Sequence, residues 1–230
     1  MTDLIYVIVT FILGLVVGNP WIRHMQAEKL GQTVRDDGPQ SHLKKMGTPT
    51  LGGFIFLAPT LVIAIIIAIV GRSLHHLPLL LLAGGAAAIG YRDDKIKVAG
   101  DPEGLSVRAK SLALSGLLAL FVIYVVFLRA EPVAFGLPWL GWIEITGVWR
   151  ILYSLFAFFF LYACTNAVNI TDGVDGLAGS VTSIVLLTLV LGLTIYQTPF
   201  MAQTPVVPVR GLLSGLLGGV VAFVFYNRHP

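Results

Sequence analysis

The sequence predicts an all-α fold: a polytopic bundle of about seven transmembrane helices with a small external β-hairpin near residues 133–146. Three observations predict it. Apolar residues make up 56% of the chain and charged residues only 12%, with a strongly positive mean hydropathy, which a soluble globule of 230 residues could not hide. The apolar residues fall in separate stretches of roughly helical span length, about 3–21, 54–70, 77–91, 112–128, 150–168, 177–196 and 208–226. Polar residues, in contrast, gather in islands between those stretches. Residues 1–230 therefore read as a single integral membrane domain.

The first stretch follows Asp3 and has neither a basic n-region nor a small-residue cleavage site, so it is expected to stay as a span. Several later stretches fall short of the ~20 residues that cross hydrocarbon, and flanking Gly, Thr, Trp and Tyr are expected to extend them. Between the first two, the loop from Arg23 to Leu51 is the longest, and Arg35-Asp36-Asp37-Gly38-Pro39 reads as a turn within a flap over a site. The third stretch carries the small residues Ala83-Gly84-Gly85-Ala86-Ala87-Ala88. Between Glu131 and Trp149, Pro132, Gly136, Pro138, Gly141 and Gly147 break any helix while Trp142-Ile143-Glu144-Ile145 alternates as a strand, which predicts the hairpin, anchored by Trp139, Trp142 and Trp149. Cys164 lies within the fifth stretch, where it forms no intrachain disulfide and is expected to fill space. In the last stretch Gly211, Gly215 and Gly219 share one helix face on which backbones can approach closely. Packing within the chain is the first reading of that face and a homodimer contact the second. No repeat of 20 to 50 residues and no inverted symmetry is evident, which weighs against many transporter architectures.

Three islands, 44–50, 92–97 and 166–176, each follow an odd-numbered span. A chain that crosses a bilayer repeatedly returns to one side after every second crossing, so all three should face one aqueous compartment. Arg23, Lys29, Arg35, Lys44, Lys45, Arg92, Lys95, Lys97, Arg108, Lys110 and Arg228, eleven of the fifteen basic residues, lie on that side. Arg72, Arg129, Arg150 and Arg210 lie on the other. The positive-inside rule makes the islands cytoplasmic and the amino terminus external. Anionic lipid headgroups and phosphate ligands account for the positive balance, and no basic run interleaved with aromatics points to nucleic acid.

Asp93 and Asp94 precede Lys97 by four and three residues, a helical spacing that pairs carboxylate with ammonium. Such a pair either caps a solvated helix end or supplies carboxylates that abstract a proton or help hold a divalent cation near phosphate. Asn166, Asn169, Asp172 and Asp175 recur every three residues, which on a continuous helix would spiral halfway round and turn carboxylates toward lipid. The helix is therefore expected to end near Asn169, with Gly173 and Gly176 permitting a turn on which short polar side chains converge. Lys44 and Lys45 before Gly47-Thr48-Pro49-Thr50-Leu51-Gly52-Gly53 combine cations with a loop that can approach a ligand, or contact headgroups beside a helix start at Thr50. Gly104-Leu105-Ser106-Val107-Arg108-Ala109-Lys110 invites the same two readings. His75 and His76 are expected to be solvated, and His24 and His42 lack metal-ligand spacing.

Taken in order, Lys44 to Gly53 (K-K-x-G-T-P-T-x-G-G), Asp93 to Lys97 (D-D-x-x-K), Gly104 to Lys110 (G-L-S-x-R-x-K) and Asn166 to Ala178 (N-A-V-N-x-T-D-G-x-D-G-L-A) resemble the phospho-N-acetylmuramoyl-pentapeptide transferases, within the polyprenyl-phosphate N-acetylhexosamine-1-phosphate transferase family. The resemblance implies a bacterial plasma-membrane enzyme of peptidoglycan biosynthesis that joins phospho-MurNAc-pentapeptide from UDP-MurNAc-pentapeptide to undecaprenyl phosphate, releases UMP and needs Mg2+. It implies that Asp93 deprotonates the lipid phosphate with Asp94 beside it, and that Asp172 is a third acidic group close to the metal. Lys45, Thr50, Asn169, Gly173, Asp175 and Asn227 resemble nucleotide-pocket residues, while Lys97 and Lys110 steady the diphosphate. The family continues past a segment like Phe225-Tyr226-Asn227-Arg228-His229-Pro230 into an aspartate motif that supplies the principal magnesium ligand, then into further spans. The chain is accordingly expected to be incomplete, with that ligand beyond Pro230, and to be inactive alone. Two rivals remain: a related transferase that loads N-acetylglucosamine phosphate, opposed by Lys44-Lys45 and Lys97, and a transporter or noncatalytic membrane scaffold.

Overall fold

The computed structural model describes residues 2–27, 51–101, 103–129, 131–137, 141–195 and 206–228. Among these residues seven long helices stand where the apolar stretches predict them: α1 (Thr2–Ala27), α2 (Phe54–Gly71), α3 (Leu77–Val98), α4 (Val107–Ile123), α5 (Trp149–Thr171), α6 (Leu177–Ile195) and α7 (Val206–Asn227). A π-helical turn, Tyr124–Leu128, prolongs α4. Among the described residues six of these helices are long and apolar enough to cross a membrane. The exception is α3, whose apolar part ends at Tyr91 before Arg92, Asp93 and Asp94 make its last two turns polar. The expected seventh span is thus a helix with a shorter oily section, about 22 Å at 1.5 Å per residue against ~30 Å of hydrocarbon. The chain is a multi-pass membrane protein.

Helix α7 is the axis of one half of the bundle, packed against α1, α2 and α6. Its glycines make that possible. A side chain at Gly218 would strike the Val7 carbonyl and the Thr10 hydroxyl of α1, and one at Gly14 of α1 would lie 2.6 Å from Ala222 of α7. Gly211 sits beside Tyr6 and Ile67, Gly215 beside Ile63 and Gly219 beside Phe56, so the glycine face is filled by α1 and α2 of the same chain. The buried Thr10 hydroxyl donates to the Tyr6 carbonyl at 2.8 Å, and the Tyr226 hydroxyl donates to the Leu15 carbonyl at 2.7 Å, so neither is left unpaired in the apolar interior.

In the other half α4 packs against α3 and α5, around a core of Val122, Val126 and Val133 joined by Tyr153, Phe158 and Leu161. The hairpin is present: β1 (Ala134–Leu137) pairs antiparallel with β2 (Gly141–Glu144), with Ala134 opposite Glu144 and Gly136 opposite Trp142. Trp142 and Trp149 are exposed, and Trp139 lies outside the described residues. Helix α5 buries no residue at all, and Cys164 is exposed on it rather than filling space.

At the hairpin end the expectation for His76 is corrected, while His75 is exposed as expected. His76 is 1% exposed, its Nε2 3.0 Å from the Ala64 carbonyl oxygen, so it pins the α2–α3 turn rather than facing water. His75 lies 3.3 Å from Glu131, which also accepts from Arg129 Nε at 2.9 Å, and the α2–α3 turn is thereby tied to the segment leading into β1.

Candidate active site

Contacts gather two of the polar islands, 92–97 and 166–176, with the start of α2 at Leu51–Gly53 at the end of the bundle away from the hairpin, while the island 44–50 lies outside the described residues. The Asp94 carboxylate accepts the backbone N–H of Leu51, at the start of α2. Trp21 of α1 donates its Nε1–H to the Leu51 carbonyl at 3.1 Å and stacks on Phe54 with ring centroids 4.1 Å apart. Gly52 lies against Phe223 of α7, which also packs on Gly179 at the start of α6, and Gly176 faces the backbone of Asn227 and Arg228. The carboxyl ends of α1, α3 and α7 and the amino ends of α2, α4 and α6 therefore meet. Lys45 and Thr50, with Lys44, lie outside the described residues.

The best-defined part of the site forms around Asp93. Its Oδ2 is 2.9 Å from Lys97 Nζ, one helical turn on, and 3.2 Å from Lys110 Nζ in the first turn of α4. Its Oδ1 accepts the Leu105 N–H at 2.9 Å. Only 4% of Asp93 is exposed, whereas the side chains of both lysines are 38% exposed, so the carboxylate is hidden and the lysine side chains reach the surface.

Local sequence explains the clamp. Helix α3 stops at Ala99–Gly100, where Gly100 takes φ +106°, and Gly104 turns the chain back with φ +69°. A Cβ on Gly104 would lie 2.6 Å from Asp93 Oδ1, so this position needs glycine for both its backbone angle and its closeness to the carboxylate. Ser106 then caps α4, its Oγ accepting the Ala109 N–H at 3.2 Å, which sets Lys110 one turn into the helix and over Asp93.

Electrostatics divides the twin aspartates, which lie beyond the apolar part of α3. Burial disfavours the charged form of Asp93, but hydrogen bonds from Lys97, Leu105 and Lys110 outweigh it and hold the carboxyl below its usual range. Burial pushes Asp94 up, the Asp93 charge adds to the rise, and Lys97 opposes it.

The asparagine–aspartate run closes α5. The helix continues to Thr171, two residues past Asn169, and along it Asn166 Nδ2 donates to the Tyr162 carbonyl and Thr171 Oγ1 to the Ala167 carbonyl, both at 2.8 Å. Asp172 is its C-cap, and Asn169, Asp172, Gly173 and Asp175 are exposed. Gly176 is buried with φ +73°, which turns the chain into α6 beside Asn227. The run is thus an exposed turn at the same end of the bundle as Asp93.

Among the described residues no three His, Cys, Asp or Glu side chains come close enough to hold a metal ion. Both oxygens of Asp93 are already engaged. Asp93, Asp94 and Asp172 therefore do not by themselves compose a cation site. What the arrangement offers is a cationic pair fixed on a buried carboxylate, suited to bind phosphate.

The Glycosyl transferase family 4 model matches residues 76–230. The phospho-N-acetylmuramoyl-pentapeptide-transferase of Acetivibrio thermocellus is 35% identical over 97% of this chain and 64% of its own length. Proteins of the same name from Moorella thermoacetica and Chloroflexus aurantiacus are 37% and 34% identical, over 95% and 96% of this chain and 65% and 59% of their own lengths. The chain thus spans about three fifths of the length of these curated relatives.

Proposed function

The chain belongs to glycosyl transferase family 4, and from that membership we propose that the protein transfers phospho-MurNAc-pentapeptide from UDP-MurNAc-pentapeptide to undecaprenyl phosphate. An oxygen of the lipid phosphate becomes bonded to the phosphorus that carries the sugar, the bond from that phosphorus to the bridging oxygen breaks, and UMP leaves with it. The observation that carries this reading is the Lys97–Asp93–Lys110 cluster at the polar end of an otherwise oily bundle. A lipid phosphate reaches such a rim from the bilayer while a sugar nucleotide arrives from water. Phosphoryl transfer asks mainly for positioning and charge neutralisation, which exposed ammonium groups on a fixed base supply.

In this reading the rim is cytoplasmic, in the plasma membrane of a bacterium. Lys97 and Lys110 hold the diphosphate, and Asn169, Gly173, Asp175 and Asn227 border the nucleotide with Lys45 and Thr50. Asp172 lies toward the phosphates. Mg2+ is the cofactor the reading brings with it, and when bound it neutralises phosphate charge. The described residues do not complete its ligand set.

The test is UMP release by the full-length protein in proteoliposomes containing undecaprenyl phosphate. Release with UDP-MurNAc-pentapeptide, and none when the lipid phosphate is omitted, is expected. Release with UDP-GlcNAc alone would assign the related transferase instead, and solute flux without UMP would assign a transporter.

A further inference from the structure

We propose that Trp21 is a positioning residue for the nucleotide side of the site: its indole N–H holds Leu51 in a strained backbone conformation and so fixes the direction from which the chain enters α2. The proposal rests on the phosphotransferase reading above, in which Thr50, the neighbour of Leu51 in sequence, borders the nucleotide with Lys45. Among the described residues Leu51 and Arg72 alone take a positive φ without being glycine, +62° and +45°. Arg72 does so at the C-cap of α2, where a left-handed residue commonly ends a helix. Leu51 does so ahead of a helix start, and a residue with a Cβ adopts that angle at a cost which something must offset. Glycine is at hand but is not used for the purpose. Gly53 stays at φ −56°, and Gly52 serves closeness, since a Cβ there would lie 2.9 Å from Phe223. What holds Leu51 comes from elsewhere in the chain. Its carbonyl accepts the Trp21 Nε1–H at 3.1 Å as well as the Phe54 N–H at 3.2 Å, and its own N–H donates to Asp94. Side chains of α1 and α3 thus grip both polar groups of one strained residue. The indole is itself set by stacking on Phe54, the two ring planes 22° apart.

Trp21→Phe removes the donor and keeps a ring for Phe54 to stack on, while Leu51→Gly removes the strain. Both, and their double variant, are made in the full-length protein and assayed for UMP release and melting temperature. Trp21→Phe is expected to raise KM for UDP-MurNAc-pentapeptide about threefold to tenfold, the worth of one hydrogen bond, with kcat and melting temperature nearly unchanged. In the Leu51→Gly background the same change should raise KM by no more than about twofold, because glycine takes the left-handed angle unaided. An unchanged KM in Trp21→Phe, with or without a fall in melting temperature, would overturn the proposal, as would an equal rise in both backgrounds. If Trp21→Phe does not fold, Leu51→Val carries the test: its β-branched side chain resists a positive φ, so a raised KM supports the proposal and an unchanged KM overturns it. Wild-type protein that releases no UMP from any UDP-sugar would remove the underlying reading and the proposal with it.

Discussion

Gly104 is the residue on which the site geometry most visibly turns. Its φ of +69° is a left-handed angle, and its missing Cβ leaves room for Asp93 and for the Lys97 side chain. Gly104→Ala should cost about 1–3 kcal/mol of local strain and push the carboxylate off the Leu105 N–H. Faster hydrogen exchange at the Leu105 amide together with reduced UMP release is expected; unchanged exchange and activity would show that the turn does not hold the site. The sign of the Asp93 shift sets a pH window. A carboxyl held below 3.8 contributes its stabilisation above that value and loses it as the pH falls through the lower folded one. Protection of the Leu105 amide, corrected for intrinsic rate, should therefore stay level between about pH 5 and 8 and fail only in stronger acid; a transition near neutrality would contradict the clamp. The Asp93–Lys97 pair was legible in the sequence because it follows helical spacing. The Leu105 and Lys110 bonds were not, because 12 and 17 residues separate them from Asp93 and only the folding back of the turn brings them there.

At the scale of elements, α7 shows what small residues do. Gly218→Val would drive a branched side chain into the Val7 carbonyl and Thr10, forcing α1 and α7 apart. A loss of about 3 kcal/mol or more is expected, read as a large fall in melting temperature or folded yield in detergent. Gly116→Ala in α4 meets nothing within 4 Å and should be neutral or stabilising by up to about 1 kcal/mol. Equal damage from both would mean that the glycines of α7 matter for flexibility rather than closeness. Helix positions were legible because uninterrupted apolar stretches have few alternatives in a bilayer. The end of α5 lies two residues past Asn169, with Asp172 as its C-cap, and within the helix the polar Asn166 and Thr171 side chains fold back onto carbonyls four residues earlier, which spacing alone does not reveal. His76 was misjudged for a similar reason. A histidine in a predicted loop reads as solvated until Ala64, twelve residues back, proves to be its partner.

For the whole molecule, the decisive feature is that separate polar islands share one end of the bundle. Alternation of spans predicted it, and the links from Asp94 to Leu51, Gly52 to Phe223 and Gly176 to Asn227 give it a physical form. The same alternation places the hairpin at the other end. The measurement that tests this most directly is labelling with a membrane-impermeant maleimide in intact and opened cells, on single cysteines introduced in a Cys164→Ser background. Val107→Cys and Val174→Cys report the site end, and Trp142→Cys reports the hairpin; all three positions are exposed. Positions 107 and 174 should label only once the cytoplasm is opened, and position 142 in intact cells. Labelling of 107 and 174 from opposite sides would contradict a common phosphate-binding rim, and with it the proposed transferase.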